Sequence, residues 1–325
     1  MIITRTPLRV SFAGGGTDLP SFYREFGGGA VTTAAIDKFV HVLVNDKFDR
    51  SIRVAYSRTE NVDHLDDLQH GIVREAMRLT GVTEALEIHT IADIPSEGTG
   101  LGSSSTLTVG LLNALHAYRE TLHDPAQLAE EACRIEIDTL HGTLGKQDQY
   151  IAAFGGVQYF EFNSDDTVRS APIPLSAAAR DDLSQHLSLF YTGLTRQSEG
   201  ILKRQDARTA DNRDSLLRMK VLAVEARQAL LRRDWADLGR VMDDGWTLKR
   251  TLAEGISSSV IDRTYARAKE LGAFGGKITG AGGGGFLFLV HPPHKTEAIR
   301  EALAPMMRLS IRLMPEGSRI LFVGR

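Results

Sequence analysis

The sequence predicts a protein of mixed helices and strands, and its 325 residues are enough for two domains. The first half alternates strand and helix patterns. The second half begins with a strand, continues through long charged helices and ends in short apolar strands. The weakest patterning of the chain lies between Phe162 and Leu187, so we expect a domain boundary there.

Local signals define the elements of the first half. Leu107, Leu111 and Leu115 form an apolar stripe at helical spacing. Asp124 followed by Pro125 is a strong helix start, because the first residue caps free amides and the second suits the first turn. The predicted elements are, in order, strands over residues 2–11 (broken by Pro7), 30–35 and 39–45, a helix over 67–80, a strand over 85–93, helices over 103–118, 125–140 and 147–154, and a strand over 157–162.

The second half contains a run of four glycines, from Gly282 to Gly285, which is unusual for a strand connection. Consecutive glycines lose much conformational entropy on folding, so another loop or a ligand must approach this backbone closely. The predicted elements are a strand near 187–192, helices across 196–254 and 257–271, a glycine loop over 277–285, and strands over 286–290 and 320–323.

Composition and charge argue against several classes of protein. The apolar fraction of 42% supports a sizeable core, and the net charge of −3 is not that of a general nucleic-acid or acidic-membrane binder. A single cysteine, Cys133, rules out an internal disulfide. The sequence predicts neither a signal core nor a membrane span, so we expect a cytoplasmic protein with no nucleic-acid or membrane partner.

The most informative segment runs from Pro95 to Thr106, where three alternating glycines are followed by hydroxyl residues and then by a helix pattern. Glycine lets backbone amides approach a ligand closely, and a helix N-terminus adds free donors and the positive end of its dipole. Together these features predict a phosphate site. Ser103 stands where a Walker A loop requires lysine and where a dinucleotide fingerprint requires its third glycine, so neither motif applies.

Two carboxylates follow this loop at positions that suggest chemistry. Glu136 lies in the apolar face of the predicted helix 125–140, where a carboxylate needs a positive partner. It could form a salt bridge, mark a packing irregularity or bind Mg²⁺, which proteins hold with carboxylates and substrate phosphates. Asp148 could cap a helix, or it could orient a hydroxyl and accept its proton in phosphoryl transfer. His141 lies between these two residues and is a candidate substrate contact.

A second glycine turn connects Arg9 to Pro20 near the N-terminus. It could be a tight connection and nothing more. It could also form a pocket for a sugar or alcohol, in which the glycines permit close approach and Asp18 accepts hydrogen bonds from hydroxyls. Arg9 would then place a fixed cation near a transferring phosphate.

Three glycine motifs in this order resemble those of the GHMP kinases, and the match covers nearly the whole chain. Residues 95–106 are similar to the family's phosphate loop Pro-x-x-x-Gly-Leu-Gly-Ser-Ser-Ala, with Ser105 in place of alanine. Residues 9–18 and 277–285 resemble its first and third motifs, although Gly15 and Gly16 replace a Glu-His pair of the galactokinases. The resemblance implies a two-domain α+β fold: an N-terminal domain like domain 2 of ribosomal protein S5 (residues 1–175) and a ferredoxin-like C-terminal domain (residues 176–325).

The resemblance also implies an ATP-dependent kinase that uses Mg²⁺ and has its site in the cleft between the domains. Ser104 and Glu136 would bind the metal, and the catalytic residues would be Asp148, Lys146 and Arg9. The nucleotide would contact Pro95, Gly98, Gly100, Leu101, Gly102, Ser103, Ser104 and Ser105. The substrate would contact Gly15, Gly16, Thr17, Asp18, His141, Gly142, Tyr191, Arg196 and Gly282.

Within the family, Ala-Gly-Gly-Gly-Thr-Asp at 13–18 and Gly-Lys-Gln-Asp-Gln-Tyr at 145–150 are similar to motifs of kinases that phosphorylate the anomeric hydroxyl of D-glycero-D-manno-heptose 7-phosphate. This implies a role in making nucleotide-activated heptose. The motifs also resemble the kinase part of L-fucokinases, so an unphosphorylated sugar is an alternative substrate. A non-catalytic regulator that binds sugar or nucleotide is a third hypothesis, and the chain could form a homodimer. A sugar phosphate would need distal cations, for which the candidates are Arg5, Arg24, Lys38, Lys146 and Arg196.

Overall fold

A computed structural model of the chain describes residues 1–95, 98–194 and 198–324. Its strands are β1 (Ile2–Ala13), β2 (Gly29–Asp46), β3 (Ile52–Ala55), β4 (Thr59–Val62), β5 (Leu86–Ala92), β6 (Val157–Phe162), β7 (Val168–Pro172), β8 (Leu187–Tyr191), β9 (Gly275–Ile278), β10 (Phe286–Val290), β11 (Met307–Leu309) and β12 (Arg319–Val323). Its helices are α1 (Pro20–Tyr23), α2 (Gly71–Thr80), α3 (Ser103–Tyr118), α4 (Pro125–Cys133), α5 (Gln147–Phe154), α6 (Ala177–Gln185), α7 (Ser198–Asp206), α8 (Arg213–Arg232), α9 (Trp235–Leu252), α10 (Ser259–Glu270) and α11 (Thr296–Ala302).

The first sheet contains eight strands. Six follow the order β12-β1-β2-β5-β3-β4, while β6 pairs with the first part of β2, and β7 pairs with β6. Every pair is antiparallel except β3 with β5, which is parallel. Helix α3 packs against β1 and β2. It lies so close to the sheet that a Cβ on Gly110 would come within 2.6 Å of Thr6 Oγ1.

Strands β1 and β2 are longer than predicted. The sequence analysis expected Pro7 to break the first strand and residues 36–38 to separate two others, but β1 and β2 run through these positions. The reason is a bulge. Pro7 pairs with Phe39 and Arg9 pairs with Ala35, so residues 36–38 lie opposite Leu8 alone. The bulge accommodates the position at which proline has no N–H for the ladder.

The second sheet has the order β11-β8-β10-β9, and all its pairs are antiparallel. Helices α8 and α9 pack against each other between the two sheets: α8 contacts β2, and α9 contacts β9 and β10. The side chains of Trp246, Ile278 and Leu289 are buried in the core that α9 shares with this sheet. The two sheets therefore meet across one helix pair, and the loops at their edges come together.

Other parts of the chain also differ from the sequence prediction. The predicted helix 125–140 ends as an α-helix at Cys133 and continues as a π-helical segment, Arg134–Thr139. Short elements were missed, namely α1, β3, β4, β7, α6, α11 and β11. Strand β12 lies beside β1 in the first sheet, although it follows the expected boundary at residue 175. The predicted bounds of α3, α5 and β6 are confirmed.

No helix within residues 1–95, 98–194 and 198–324 could span a membrane. None of their helices is both long enough and apolar enough to cross a bilayer.

Candidate active site

A cavity of about 380 Å³ lies where loops from the two sheets meet. Five parts of the chain line it: the end of β1 with the turn after it, the loop before α3, the segment from Glu136 to Asp148, helix α7, and buried positions on α9 and β9 with the glycine loop after β9. The structure brings thirteen of the predicted site residues to this cavity: Arg9, Gly15, Gly16, Asp18, Gly98, Gly100, Gly102, Ser103, Ser104, Ser105, Glu136, Gly142 and Asp148.

The loop before α3 has the geometry of an anion site. Gly98, Gly100 and Gly102 have φ of +71°, +68° and +82°, a region that residues with a Cβ rarely adopt. Gly102 is the N-cap residue of α3, and no side chain caps the first-turn amides. Helix α3 is sixteen residues long, so those amides also lie at the positive end of a substantial dipole. An anion in the cavity is the natural partner for them.

The third glycine motif is explained by this same loop. A Cβ on Gly100 would lie 2.6 Å from the carbonyl oxygen of Thr279, and a Cβ on Gly280 would lie 2.6 Å from Gly100 Cα. The Thr279 hydroxyl donates to the carbonyl oxygen of Thr99 at 2.8 Å. Of the two alternatives that the sequence left open, close approach of another loop therefore accounts for these glycines. Gly280 also lines the cavity.

Asp148 lies in the first turn of α5 and is held by Arg9. The Arg9 guanidinium donates to both carboxylate oxygens, at 2.7 Å to Oδ1 and 2.6 Å to Oδ2. A third donor, Nη1, reaches the carbonyl oxygen of Gly100 at 2.5 Å. Asp148 does not cap the helix, because the carboxylate that accepts from the Gln147 amide belongs to Asp18. A carboxylate fixed in this way can orient a hydroxyl and accept its proton.

Glu136 is buried beside the start of α3. The Ser104 hydroxyl donates to its Oε1 at 2.5 Å, and the Gln149 amide donates to its Oε2 at 2.8 Å. Burial raises the pKa of Glu136, while the hydrogen bonds oppose that shift. Among the described residues no cation lies within salt-bridge distance of it, which removes the salt-bridge alternative. A hydroxyl and a carboxylate oxygen this close together fit a hard cation such as Mg²⁺.

The helix that carries Glu136 is irregular at this residue. The π-helical segment Arg134–Thr139 widens the turn, and such insertions are frequent at functional sites. The packing irregularity that the sequence left open is thus present, and it coincides with the carboxylate that faces the cavity.

Asp18 and Thr17 were both predicted as substrate contacts, but only Asp18 lines the cavity. Asp18 lines the cavity, and its two carboxylate oxygens accept from the amides of Gly16 at 2.9 Å and Gln147 at 3.2 Å. Burial raises the pKa of Asp18, and the charge of Asp148 adds to the effect. Thr17 was predicted as a substrate contact, but its buried hydroxyl lies 2.8 Å from the carbonyl oxygen of Gly14 and so stabilises the turn instead.

Two buried lysines of the cavity were missed by the sequence analysis. Lys249 comes from α9 and Lys277 from β9. The Lys249 ammonium donates to the carbonyl oxygen of Gly280. Burial, with the nearby Arg9 charge, lowers the pKa of Lys249 to about 8. Burial and the charge of Lys249 lower the pKa of Lys277. A signal was present for Lys249, because it lies in the apolar face of its helix, three residues from both Trp246 and Leu252.

Lys146 was predicted as a catalytic cation, and the structure places its side chain away from the cavity. Its ammonium donates to the carbonyl oxygen of Asp166 at 2.9 Å, outside the cavity. The other predicted distal cations are also elsewhere: Arg24 pairs with Asp166, Lys38 pairs with Asp37, and Arg5 stacks on Phe39. Arg196 lies outside the described residues. Buried Lys249 and Lys277 are the cavity's lysines instead.

Five further predicted contacts are absent from the cavity wall. His141 is exposed and adopts a left-handed backbone conformation. Tyr191 packs on Phe286, and a Cβ on Gly282 would lie 2.8 Å from the carbonyl oxygen of Ile256. Leu101 is fully buried in the core, whereas Pro95 is exposed. Each was inferred from its place beside a motif, which does not determine the direction of a side chain.

The cavity wall carries buried polar atoms that lack protein partners. Within the described part of the chain these are Ser11 Oγ, Thr99 Oγ1, Ser103 Oγ, Gln147 Oε1 and Gln205 Oε1. Buried polar groups are nearly always hydrogen-bonded, so this concentration indicates a polar ligand. A phosphate-binding helix start, beside carboxylates suited to a metal and to a proton, is the arrangement expected of a phosphotransferase.

Comparison with known proteins agrees with this class. Residues 67–156 match the GHMP kinases N terminal domain and residues 226–308 match the GHMP kinases C terminal domain, together more than half of the chain. The chain belongs to the GHMP kinase family. It is therefore an ATP-dependent kinase, and the two-domain α+β fold predicted from the sequence is confirmed.

Individual relatives are similar over nearly the full length. A D-glycero-alpha-D-manno-heptose 7-phosphate kinase of Campylobacter jejuni is 31% identical over 93% of each chain. The L-fucokinase/L-fucose-1-P guanylyltransferase of Bacteroides fragilis is 27% identical over 92% of this chain and 35% of its own. Among solved structures, a D-glycero-D-manno-heptose 1-phosphate kinase from Bacteroides thetaiotaomicron has a TM-score of 0.83 at 24% identity, over 100% of both chains.

Proposed function

We propose that the protein is a sugar kinase that transfers the γ-phosphoryl group of ATP to the anomeric hydroxyl of D-glycero-D-manno-heptose 7-phosphate. The product would be the 1,7-bisphosphate, an intermediate towards nucleotide-activated heptose. The observation that carries this proposal is the 31% identity, over 93% of each chain, to the heptose 7-phosphate kinase of Campylobacter jejuni. The motifs at 13–18 and 145–150 support the same substrate.

The phosphates of ATP bind at the start of α3 in this proposal. The uncapped amides of the first turn and the positive end of the helix dipole favour them there. Gly102 supports this assignment, because a side chain at that position would approach Asp148 Oδ2 at 3.2 Å and narrow the path to the amides. Arg9 and Asp148 line the same cavity as this helix start.

Ser104 and Glu136 are the residues that would hold Mg²⁺. When bound, the ion would neutralise charge on the ATP phosphates. Gln149 fixes the orientation of the Glu136 carboxylate through its 2.8 Å hydrogen bond. Ser104 turns its hydroxyl towards the same carboxylate, so the two oxygen donors already lie side by side.

Asp148 orients the anomeric hydroxyl and accepts its proton as the oxygen attacks the γ-phosphorus. The bond to the bridging oxygen of ADP breaks at the opposite side. Arg9 holds the carboxylate through two hydrogen bonds and keeps it aimed at the acceptor. Lys249 supplies the positive charge near the transferring group that Lys146 was expected to provide, and Lys277 lines the same cavity.

A substrate panel tests the proposal. The purified protein is assayed for ADP release with D-glycero-D-manno-heptose 7-phosphate, the same heptose without phosphate, and L-fucose. We expect kcat/KM to be at least about tenfold higher for the heptose phosphate, a difference that one charge-assisted contact provides. Phosphorus NMR of the product should place the new phosphate at the anomeric carbon.

L-Fucose is the second candidate substrate, since the Bacteroides fragilis relative is 27% identical over 92% of this chain. A higher kcat/KM for L-fucose would replace the heptose assignment. Binding of ATP and sugar without any ADP release would instead favour the non-catalytic regulator.

A further inference from the structure

A group of metal-ligating side chains lies far from the cavity. His116 is in the last turn of α3, His123 is in the loop that follows, and Glu131 is on α4. Thirteen residues of helix separate Ser103 from His116, which corresponds to about 20 Å along α3. The phosphotransferase site makes no use of these residues.

The three side chains converge on a small volume. His116 Nε2 lies 2.7 Å from Glu131 Oε2, and His123 Nδ1 lies 3.3 Å from Glu131 Oε1. All three ligand atoms lie within 4.8 Å of one another. The two imidazole rings are stacked, with their centroids 3.6 Å apart and an interplanar angle of 23°.

The hydrogen bonding around this group is incomplete. His123 Nδ1 is buried and has no partner with hydrogen-bond geometry among the described residues, despite its 3.3 Å separation from Glu131. A buried ring nitrogen of this kind is costly unless a proton donor, an acceptor or a cation satisfies it.

One neutral tautomer of His116 places an unprotonated ring nitrogen opposite Glu131. The Thr121 hydroxyl donates to the His116 carbonyl oxygen at 3.1 Å, so its oxygen is free to accept from Nδ1 at 3.3 Å. A neutral imidazole with its proton on Nδ1 directs the Nε2 lone pair at the Glu131 carboxylate. In that tautomer two acceptors face each other at 2.7 Å, and a metal ion between them would satisfy both, whereas in the other tautomer Nε2–H donates to Glu131.

We propose that His116, His123 and Glu131 bind a divalent transition-metal ion, with Zn²⁺ the best match. Two imidazoles and one carboxylate suit zinc, whereas Mg²⁺ and Ca²⁺ prefer oxygen ligands alone. Bonds of about 2.0 Å in tetrahedral geometry place two ligand atoms about 3.3 Å apart, so the Nε2–Oε2 pair, now at 2.7 Å, would open by about 0.6 Å. The fourth position is left for water, and the side chains of His123 and Glu131 remain partly exposed for entry.

The site would connect two elements that also form the cavity. The C-terminal end of α3 and the last turn of α4 would be joined by the ion, while the N-terminal end of α3 carries Ser104 and the extension of α4 carries Glu136. An ion at this position should therefore stabilise the packing of α3 against α4 without contacting the substrate.

Zinc binding by tag-free, chelator-treated protein tests the proposal. Equilibrium dialysis with Zn²⁺, followed by elemental analysis, should give about one equivalent per chain, and the melting temperature should rise with zinc. Co²⁺ in place of zinc should give the visible absorption bands of a tetrahedral site. H123A should weaken zinc binding by about tenfold or more and remove both the shift and the bands.

His89→Ala is the matched control, because His89 pairs with Glu87 at 2.8 Å on the surface and has no part in the cluster. It should bind zinc like the parent protein. Glu131→Gln provides a second variant in case H123A is poorly folded. Zinc binding that is the same in the parent and in both cluster variants, or no binding by the parent, would overturn the proposal.

Discussion

In the Arg9–Asp148 pair, the arginine fixes the orientation of a candidate catalytic carboxylate. Both Asp148 oxygens accept from the guanidinium, and yet the side chain is 21% exposed at the cavity. Its carboxylate is thus held in one orientation while it remains accessible to a substrate hydroxyl. Arginine suits this role because its planar fork matches a carboxylate with two parallel hydrogen bonds.

Asp148→Asn tests the proton acceptor. The amide is nearly the same shape, but it cannot accept the proton, so we expect kcat to fall by about 10² to 10⁴-fold. ATP affinity, measured by calorimetry, should change little because the proposed phosphate site is at the start of α3. Asp138→Asn is the control, since Asp138 is exposed and does not line the cavity. Full activity of the Asp148 variant would contradict the assignment.

Glu136→Gln separates function from stability. It should reduce activity at limiting Mg²⁺ and raise the Mg²⁺ concentration needed for half-maximal rate, because one charged ligand is lost. In metal-free buffer at neutral pH the variant should melt higher than the parent, since it no longer buries an uncompensated carboxylate. Gln149 can rotate to accept from the new amide, because its own Oε1 has no partner among the described residues. Unchanged Mg²⁺ dependence would exclude Glu136 as a ligand.

Lys249 predicts a pH dependence. Its pKa in the folded protein is lowered to about 8 from the usual 10.5, so the folded state releases the proton first. Stability should then rise with pH between about 8 and 10.5, where the unfolded chain binds more protons. Activity should move in the opposite direction, because kcat/KM needs the charged form and falls as pH increases through 8.

Lys249→Met should remove this alkaline limb and lower kcat/KM at pH 7 by about 100-fold. Lys295→Met, at a position outside the cavity, should leave both the rate and the pH profile unchanged. An alkaline limb that persists in the Lys249 variant would assign it to another group.

Among the elements, the two glycine loops act as one unit. Backbone from residues 98–102 contacts backbone from 279–285, with separations that leave no space for side chains. This contact joins the start of α3 to the edge of the second sheet. The position of the proposed phosphate site therefore depends on both sheets, not on the first loop alone.

Gly100→Ala tests the contact, and Gly81→Ala is a closely matched control. Both glycines have similar φ, +68° and +70°, so an added methyl group costs about 1 kcal/mol of backbone strain in each. Gly81 has open space around it, whereas a Cβ on Gly100 would lie 2.6 Å from Thr279 O. We expect Gly100→Ala alone to lose ATP affinity and to be less stable than Gly81→Ala in denaturant titration. Equal effects would show that backbone strain dominates.

For the helices and strands, prediction from sequence succeeded at some positions and failed at others. Helix α3 was predicted to the residue because its apolar stripe and the glycines before it are local signals. The change to π-helix at Arg134 was missed, because it is accommodated by packing and leaves the apolar spacing almost unaltered. The joining of two predicted strands into β2 depends on a bulge against β1, which is a long-range pairing.

For the whole molecule, the cavity is assembled from residues as far apart in the chain as Arg9 and Gly280. Strand β12 adds to this interdependence, since residues 319–323 extend the sheet that begins at Ile2. A residue's place beside a motif was therefore a poor guide to its direction. Lys146, two residues from Asp148, points away from the cavity to Asp166, while Lys249 comes from a distant helix.

The sequence by itself determined the family and the class of reaction, and it predicted the phosphate loop and the candidate reactive carboxylates Glu136 and Asp148. These depend on residue type and local spacing, which glycine geometry and helix capping translate directly into structure. Only the tertiary structure decided which cations face the cavity, why the third motif is rich in glycine, and that His116, His123 and Glu131 come together. Those properties depend on side-chain direction and on contacts between distant segments, which no local pattern encodes.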